Sequence, residues 1–364
     1  MKKLLVFALV ASAVIVSSCS SSKKPSSIVK GDAAELDTLS YAFGTHLGNA
    51  LKSEFSDLPI NMEVLTEAFE TSALGNSKMT KEEASEVFMG YMSGTRMVRR
   101  EIVARKRAQA DSVKRANGMK ESVVREEREA LGADADMFES EEQRNEFSAA
   151  LGTDIGLSFR EADFPIQTYW VNEALVNGVN NASVITFEQA VAYIQNYFQV
   201  VVPQRNLEIS NEKLAEIEAK SGVVKTESGL MYRVKSAGDE ELRPSTGRDK
   251  VKVNYTGRLV RNNNVFDTSR YADRTDEQKE AMKKAGQSKD DMPVEFALNQ
   301  VIKGWTEGLT HVGKGGRIEL WIPASLAYGA NGAGAMVGPN DAIYFDVEVI
   351  EVTLADQPKA ESAE

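Results

Sequence analysis

The sequence predicts a multidomain α+β protein: an all-helical N-terminal part, followed by an antiparallel β-sheet wrapped around one short helix. Three observations carry this expectation. A block of roughly 50 residues with helical periodicity occurs twice. From Gly229 onward the apolar period changes from 3.6 to 2. The length, 364 residues of which 42% are apolar, is too great for a single core and too apolar for a disordered chain.

The charge count of 43 basic against 54 acidic residues gives a net −11, which argues against a general nucleic-acid binder. One cysteine excludes an internal disulfide framework, and two histidines, His46 and His311, are too few for a histidine-rich metal centre. The chemistry is therefore expected to need neither metal nor thiol, and separately no cofactor is expected.

At the N-terminus, Lys2 and Lys3, an apolar stretch from Leu4 to Val16 and the small residues Ser17 and Ser18 make a secretory signal over residues 1–18. The apolar run is too short to span a bilayer comfortably. Val16-Ser17-Ser18-Cys19 resembles the bacterial lipobox, so Cys19 is expected to be lipidated after cleavage. Residues 19–34, polar and containing Pro25, then form a lipidated tether, and acyl chains anchor without a spanning helix. The expected location is the bacterial cell envelope, lipid-anchored to the outer membrane and facing the periplasm.

The repeat follows. Ala42-Phe43-Gly44-Thr45-His46-Leu47-Gly48 recurs as Ala150-Leu151-Gly152-Thr153-Asp154-Ile155-Gly156, at an offset of 108. Glu67-Ala68-Phe69 and Thr80-Lys81-Glu82-Glu83-Ala84 recur as Glu173-Ala174-Leu175 and Thr186-Phe187-Glu188-Gln189-Ala190, at an offset of 106. The two-residue difference is an ordinary loop deletion, so residues 35–95 and 146–200 read as two copies of one helical module. Leu39, Phe43, Leu47 and Leu51 mark an apolar helix face, and Thr80 and Thr186 open capping boxes with Glu83 and Gln189.

Residues 96–145 read as a helical connector, basic at first (Arg99, Arg100, Arg105, Lys106, Arg107) and acidic later (Glu126, Glu127, Glu129), taken as a solvated helix with no nucleic-acid role. Wholly helical, this stretch would span more than about 70 Å, so a turn near Gly132 or an extended excursion is expected to let the copies meet. A second connector, 201–222, follows, with Pro203 expected to kink or end the preceding helix.

The remaining domain, residues 223–356, precedes a short tail, 357–364. Alternation marks strands at Leu230–Val234, Val251–Tyr255, Ile318–Ile322 and Ile343–Val349, and a helix is expected over Gln300–Thr310. Gly308–Lys314 mimics a phosphate-binding loop, but Gly315 stands where Ser or Thr must hold magnesium and a strand follows. Gly332–Gly338 lacks the third glycine of a dinucleotide fingerprint, so both runs are turns. His311, near the end of the helix, reads as a surface or capping residue.

An aromatic set without nucleophile or base remains: Tyr255, Phe266, Trp305, Tyr328 and Phe345, with Asp267 beside Phe266. By periodicity alone these are core residues. In order, however, Val253-Asn254-Tyr255-Thr256-Gly257, Phe266-Asp267-Thr268-Ser269, Gln300-Val301-Ile302-Lys303-Gly304-Trp305, Ala327-Tyr328-Gly329 and Gly338-Pro339-Asn340 leading to Phe345-Asp346-Val347 resemble the FKBP-type peptidyl-prolyl cis/trans isomerases. The helical modules look like the N-terminal domain of the periplasmic macrophage-infectivity-potentiator group of that family.

The resemblance implies a proline pocket with Trp305 as its floor, surrounded by Tyr255, Phe266, Val301, Ile302 and Phe345. It places Val337 at an apolar pocket position and Val294 where the family often has an aromatic. It further implies that the Ile302 N–H and the Tyr328 hydroxyl bind ligand carbonyls, with Asp267 near the carbonyl of the rotating bond. Ala333 and Gly334 replace a His-Pro pair seen in some members, and a charged 22-residue insert, Tyr271 to Met292, with helical character from Asp276 to Ala285, separates two of the motifs and could alter access to one side of the pocket.

The implied partners are unfolded or proline-containing exported polypeptides, the membrane through Cys19, and no nucleic acid. The implied activity is peptidyl-prolyl cis/trans isomerisation in the folding of exported proteins; the alternative is a non-catalytic chaperone or scaffold. Because relatives of this group carry one module per chain and dimerise through it, the two copies here are expected to pair within one chain as a monomeric pseudo-dimer, with a homodimer as the alternative.

Overall fold

The computed structural model describes residues 33–129, 133–334 and 336–355, which form two compact units dividing between Gln199 and Val200. The expected signal, Cys19, the expected tether up to residue 32 and the tail lie outside the described residues.

In the helical unit each copy is a triplet: α1 (Ala33–Glu54), α2 (Met62–Ala73) and α3 (Lys81–Gly90), then α6 (Glu141–Glu161), α7 (Thr168–Val179) and α8 (Phe187–Asn196), the numbers between falling to the connector. The copies interlock. The first helix of each packs on the second and third helices of the other, α1 on α7 and α8, and α6 on α2 and α3. The repeated glycines make this possible, because a Cβ on Gly44 would stand 2.3 Å from the Val171 carbonyl oxygen and one on Gly152 2.1 Å from that of Leu65. Gly48 and Gly156 meet the Leu175 and Phe69 carbonyls in the same way, both at 2.4 Å. Val171 and Leu175 are the repeat equivalents of Leu65 and Phe69, so the contacts obey an internal pseudo-twofold. Phe159 of the second copy sets its ring edge-on against Phe43 and Phe69 of the first, at 5.1 and 5.6 Å. Both capping boxes form, with the Thr80 and Thr186 amides donating to Glu83 and Gln189 at 2.8 Å.

Each copy then passes through a π-helical turn, Tyr91–Thr95 and Tyr197–Val201, which the sequence did not announce. Pro203 is the second residue of α9 (Val202–Glu218), directly after the second turn, and the backbone stays helical from Phe187 through it, Val201 having φ −66° and ψ −50°. The first turn has no proline, so proline is not what produces these turns.

The first connector doubles back at Gly118. It runs as α4 (Arg96–Ala116) and α5 (Glu121–Glu129), reversing at Gly118, whose φ of +83° closes the helix end; Gly132 lies outside the described residues. The basic stretch docks on its own acidic return: Arg115 pairs with Glu121 and Lys114 with Glu127, both at 2.6 Å, while Arg99 donates to the Asp136 and Phe138 carbonyls. Arg96 and Arg100 converge on Asp57; burial alone would raise its carboxyl pKa, but these hydrogen bonds and charges hold it below the usual range.

In the C-terminal unit the strands are β1 (Val224–Lys225), β2 (Met231–Ser236), β3 (Lys250–Leu259), β4 (Val265–Thr268), β5 (Val294–Ala297), β6 (Arg317–Ile322) and β7 (Ile343–Thr353). All pairs are antiparallel, in the order β1-β2-β6-β7-β3-β4, with β5 also on β3. The expected connector over 201–222 belongs to this unit: Leu214 and Ile217 of α9 bury against Met231, Trp321 and Ala342. Consequently β6 is buried on both faces rather than alternately. The helix expected over Gln300–Thr310 is shorter, α11 (Lys303–Gly308), because Val301 and Ile302 are extended and separate it from a 3₁₀ turn at Leu298–Gln300. The insert carries α10 (Asp276–Lys284), as its periodicity predicts. His311 closes a second 3₁₀ turn, stacked on Tyr232 at 4.0 Å.

Candidate active site

Alternation along β3 turns Val251, Val253, Tyr255, Gly257 and Leu259 to one face, over which α11 lies. Gly257 opposes Phe345 in register, and a Cβ there would come within 2.6 Å of the Phe345 ring and 2.8 Å of Phe266, so glycine lets the two rings close over the strand. Trp305 is fixed by its amide, which donates to the Ile302 carbonyl at 3.0 Å. Its ring meets Tyr255 at 5.2 Å and Phe345 at 4.8 Å, both nearly perpendicular, and Phe266 meets Phe345 at 5.5 Å. Such edge-to-face pairs contribute about 0.5 to 1.5 kcal/mol each beyond burial. Trp305 is only 5% exposed, and its buried Nε1 has no hydrogen-bond partner.

One side of this apolar floor is polar. The Tyr255 hydroxyl donates to Asp267 Oδ2 at 2.6 Å. Burial first, then this bond, raise the Tyr255 pKa above the usual tyrosine range; burial and the negative charge of Asp267 do the same to Tyr328. Ile302 caps α11: its carbonyl accepts from Trp305 and Thr306, while its own amide lies ahead of the helix's first hydrogen bond. Val301, Ile302 and Tyr328 pack on the cluster, and Val337 is buried in it.

Of the expected residues, Tyr255, Phe266, Ile302, Trp305, Tyr328, Phe345, Val301 and Val337 come together, with Asp267 bonded to Tyr255. Val294 does not. It is 41% exposed at the outer end of β5, and Phe296, on the same strand face, packs on Trp305 at 5.1 Å instead. Alternation in Val294-Glu295-Phe296 marks both as candidates, but a four-residue strand does not say which one reaches the core. The positive charge of Arg274, at the root of the insert, also acts on Tyr255 and was missed.

Val337 is carried on a loop between β6 and β7. Ala333 and Val337 pair across it, with amide-to-carbonyl distances of 2.8 and 3.2 Å, and the Asn340 amide donates to the Gly329 carbonyl at 2.9 Å. The insert closes at its neck, where the Met292 amide donates to Ser269 and that of Tyr271 to Asp291, both at 2.8 Å. Asp273 accepts from Thr256 on the face of β3 opposite the aromatic floor. In the helical unit, a cavity of about 200 Å³ is lined by Asp57, Arg100, Arg107 and Asp134, whose charges pair with one another or with Arg96.

What this arrangement offers a ligand is an apolar, water-excluding floor edged by two phenols, a carboxylate and a backbone amide. Residues 242–350 match the model described as FKBP-type peptidyl-prolyl cis-trans isomerase. The domain amino terminal to that isomerase is matched twice, at 36–128 and 144–234. A probable FKBP-type peptidyl-prolyl cis-trans isomerase of Haemophilus influenzae is 46% identical over 147 residues, 40% of this chain and 51% of that protein. The FKBP-type 22 kDa peptidyl-prolyl cis-trans isomerase of Escherichia coli is 35% identical, over 50% of this chain and 82% of its own. The outer membrane protein MIP of Legionella longbeachae is 29% identical, over 58% and 87%.

Proposed function

The chain belongs to the FKBP-type peptidyl-prolyl isomerase family, and on that premise we propose that its aromatic pocket catalyses cis/trans isomerisation of X-Pro bonds in exported polypeptides. The observation that carries this reading is the Trp305 floor walled by Tyr255 and Phe345, with the Tyr255–Asp267 bond at its rim. Rotation about an X-Pro bond faces a barrier of about 18 to 20 kcal/mol from amide resonance, and it requires no proton or covalent transfer. Seating the proline on Trp305 strips water from the amide carbonyl, which weakens the charge-separated resonance form and favours the twisted transition state. The Ile302 N–H and Tyr328 hydroxyl are suited to hold the flanking carbonyls, and Asp267 faces the rotating bond. A thousandfold to millionfold acceleration corresponds to roughly 4 to 8 kcal/mol of preferential binding to the twisted amide.

Catalysis of proline-limited refolding tests this reading. The parent chain should accelerate the slow phase catalytically, and Trp305→Ala should lower kcat/KM by about tenfold or more while leaving the fold intact. Stoichiometric suppression of aggregation without acceleration would replace it with the chaperone reading.

The finer location rests on Val16-Ser17-Ser18-Cys19 and on likeness to a relative named an outer membrane protein. In this proposal Cys19 carries the lipid anchor and the protein faces the periplasm. Cys19→Ser should then give unprocessed or soluble material. Unchanged membrane fractionation, with a free N-terminus at another residue, would refute it.

A further inference from the structure

Helix α9 carries one buried stripe: Val202, Asn206, Ser210, Leu214 and Ile217. A stripe that only sealed the sheet would be apolar throughout, yet its middle is Asn206, 0% exposed, and Ser210, 2% exposed. Buried polar groups are costly unless hydrogen-bonded. Both are bonded to the backbone of the segment just after Val337. Asn206 Nδ2 donates to the Pro339 carbonyl at 3.0 Å, and Ser210 Oγ accepts from the Ala342 amide at 2.9 Å and donates to the Asn340 carbonyl at 3.4 Å. Asn340 answers by donating to the Pro203 carbonyl at 3.2 Å. From the other side, Asp341 is held by Arg261 at 2.8 Å and accepts from the Gly338 amide at 2.8 Å.

We infer that Asn206 and Ser210 are positioning residues for the pocket: through Pro339, Asn340 and Ala342 they fix the height of the loop that carries Tyr328 and Val337 over Trp305. Helix α9 thereby sets substrate affinity without touching substrate. Bonds to backbone atoms suit this role, since they fix the path of the loop whatever its side chains. The inference rests on the isomerase reading, because Tyr328 and Val337 act on substrate only there.

The test uses the full chain and proline-containing tetrapeptides that differ in the residue before proline. Asn206→Ala/Ser210→Ala should raise KM about fivefold with kcat within about twofold of the parent, and narrow the discrimination among peptides. Amide exchange over residues 327–342 should quicken, and Ser210→Thr, which keeps the hydroxyl, should restore both readouts in the Asn206 background. Leu214→Ala, which loosens packing against Ala342 but leaves both polar bonds to the loop backbone in place, should lower Tm and leave KM unchanged. Should the double variant not fold, Ser210→Ala alone carries the same test. A folded variant with parental KM and exchange overturns the inference, as does a Leu214→Ala variant whose KM rises as far. An inactive parent would sink the isomerase reading instead, and amide exchange would still decide whether α9 holds the loop.

Discussion

Tyr255 shows how one side chain serves both packing and polarity. Its ring walls the pocket while its hydroxyl is committed to Asp267, and burial together with that bond keeps the phenol protonated above its usual range. A raised folded pKa gives a contribution that is complete below the unfolded phenol value of about 10 and is lost as pH climbs toward the folded one. Activity should therefore show no tyrosine-linked decline between about pH 6 and 9. Asp267→Asn should move the Tyr255 titration, followed by absorbance against a Tyr255→Phe background, down toward that ordinary value. Phe296 and Val294 give a second check. Phe296→Ala, which strips a ring from Trp305, should lower kcat/KM about tenfold, and Val294→Ala less than about twofold. Equal effects would return Val294 to the pocket wall.

At the scale of elements, the interlocked helices depend on four glycines at backbone contact. Gly44→Ala and Gly152→Ala each push a methyl into a carbonyl of the facing helix and should destabilise the helical unit by about 1 to 3 kcal/mol, read from thermal unfolding by circular dichroism. Much of this layer was legible: the Gly44/Gly152 repeat, both capping boxes and the α10 helix follow from local sequence. What escaped depends on distant partners. Across the reversal at Gly118, Arg115 and Lys114 pair with Glu121 and Glu127, while Arg99 reaches the carbonyls of Asp136 and Phe138 further along the chain. Helix α9 reads as a connector because its apolar stripe is interrupted by Asn206 and Ser210, whose partners lie some 130 residues away. The pocket was legible through motif order, whereas alternation alone would have left its aromatics as core.

For the whole molecule, the pairing of two module copies inside one chain bears on assembly. The first helix of each copy is already packed on the second and third helices of the other, so a single chain bearing one pocket is the expected species in solution. Light scattering on residues 31–364 at micromolar concentration should give one chain's mass; twice that mass would mean that modules also pair between chains. The interlock also changes what an inherited substitution does. In an assembly of identical chains every change enters at both symmetry-related places, so the halves cannot be adjusted separately. Here it enters once, and the halves have already parted: His46 stacks on Phe187 at 5.3 Å, while Asp154, its repeat equivalent, is partly buried near Lys81, the equivalent of Phe187. A covalent partner is also never lost to dilution, so this pairing persists at concentrations where separate chains would come apart.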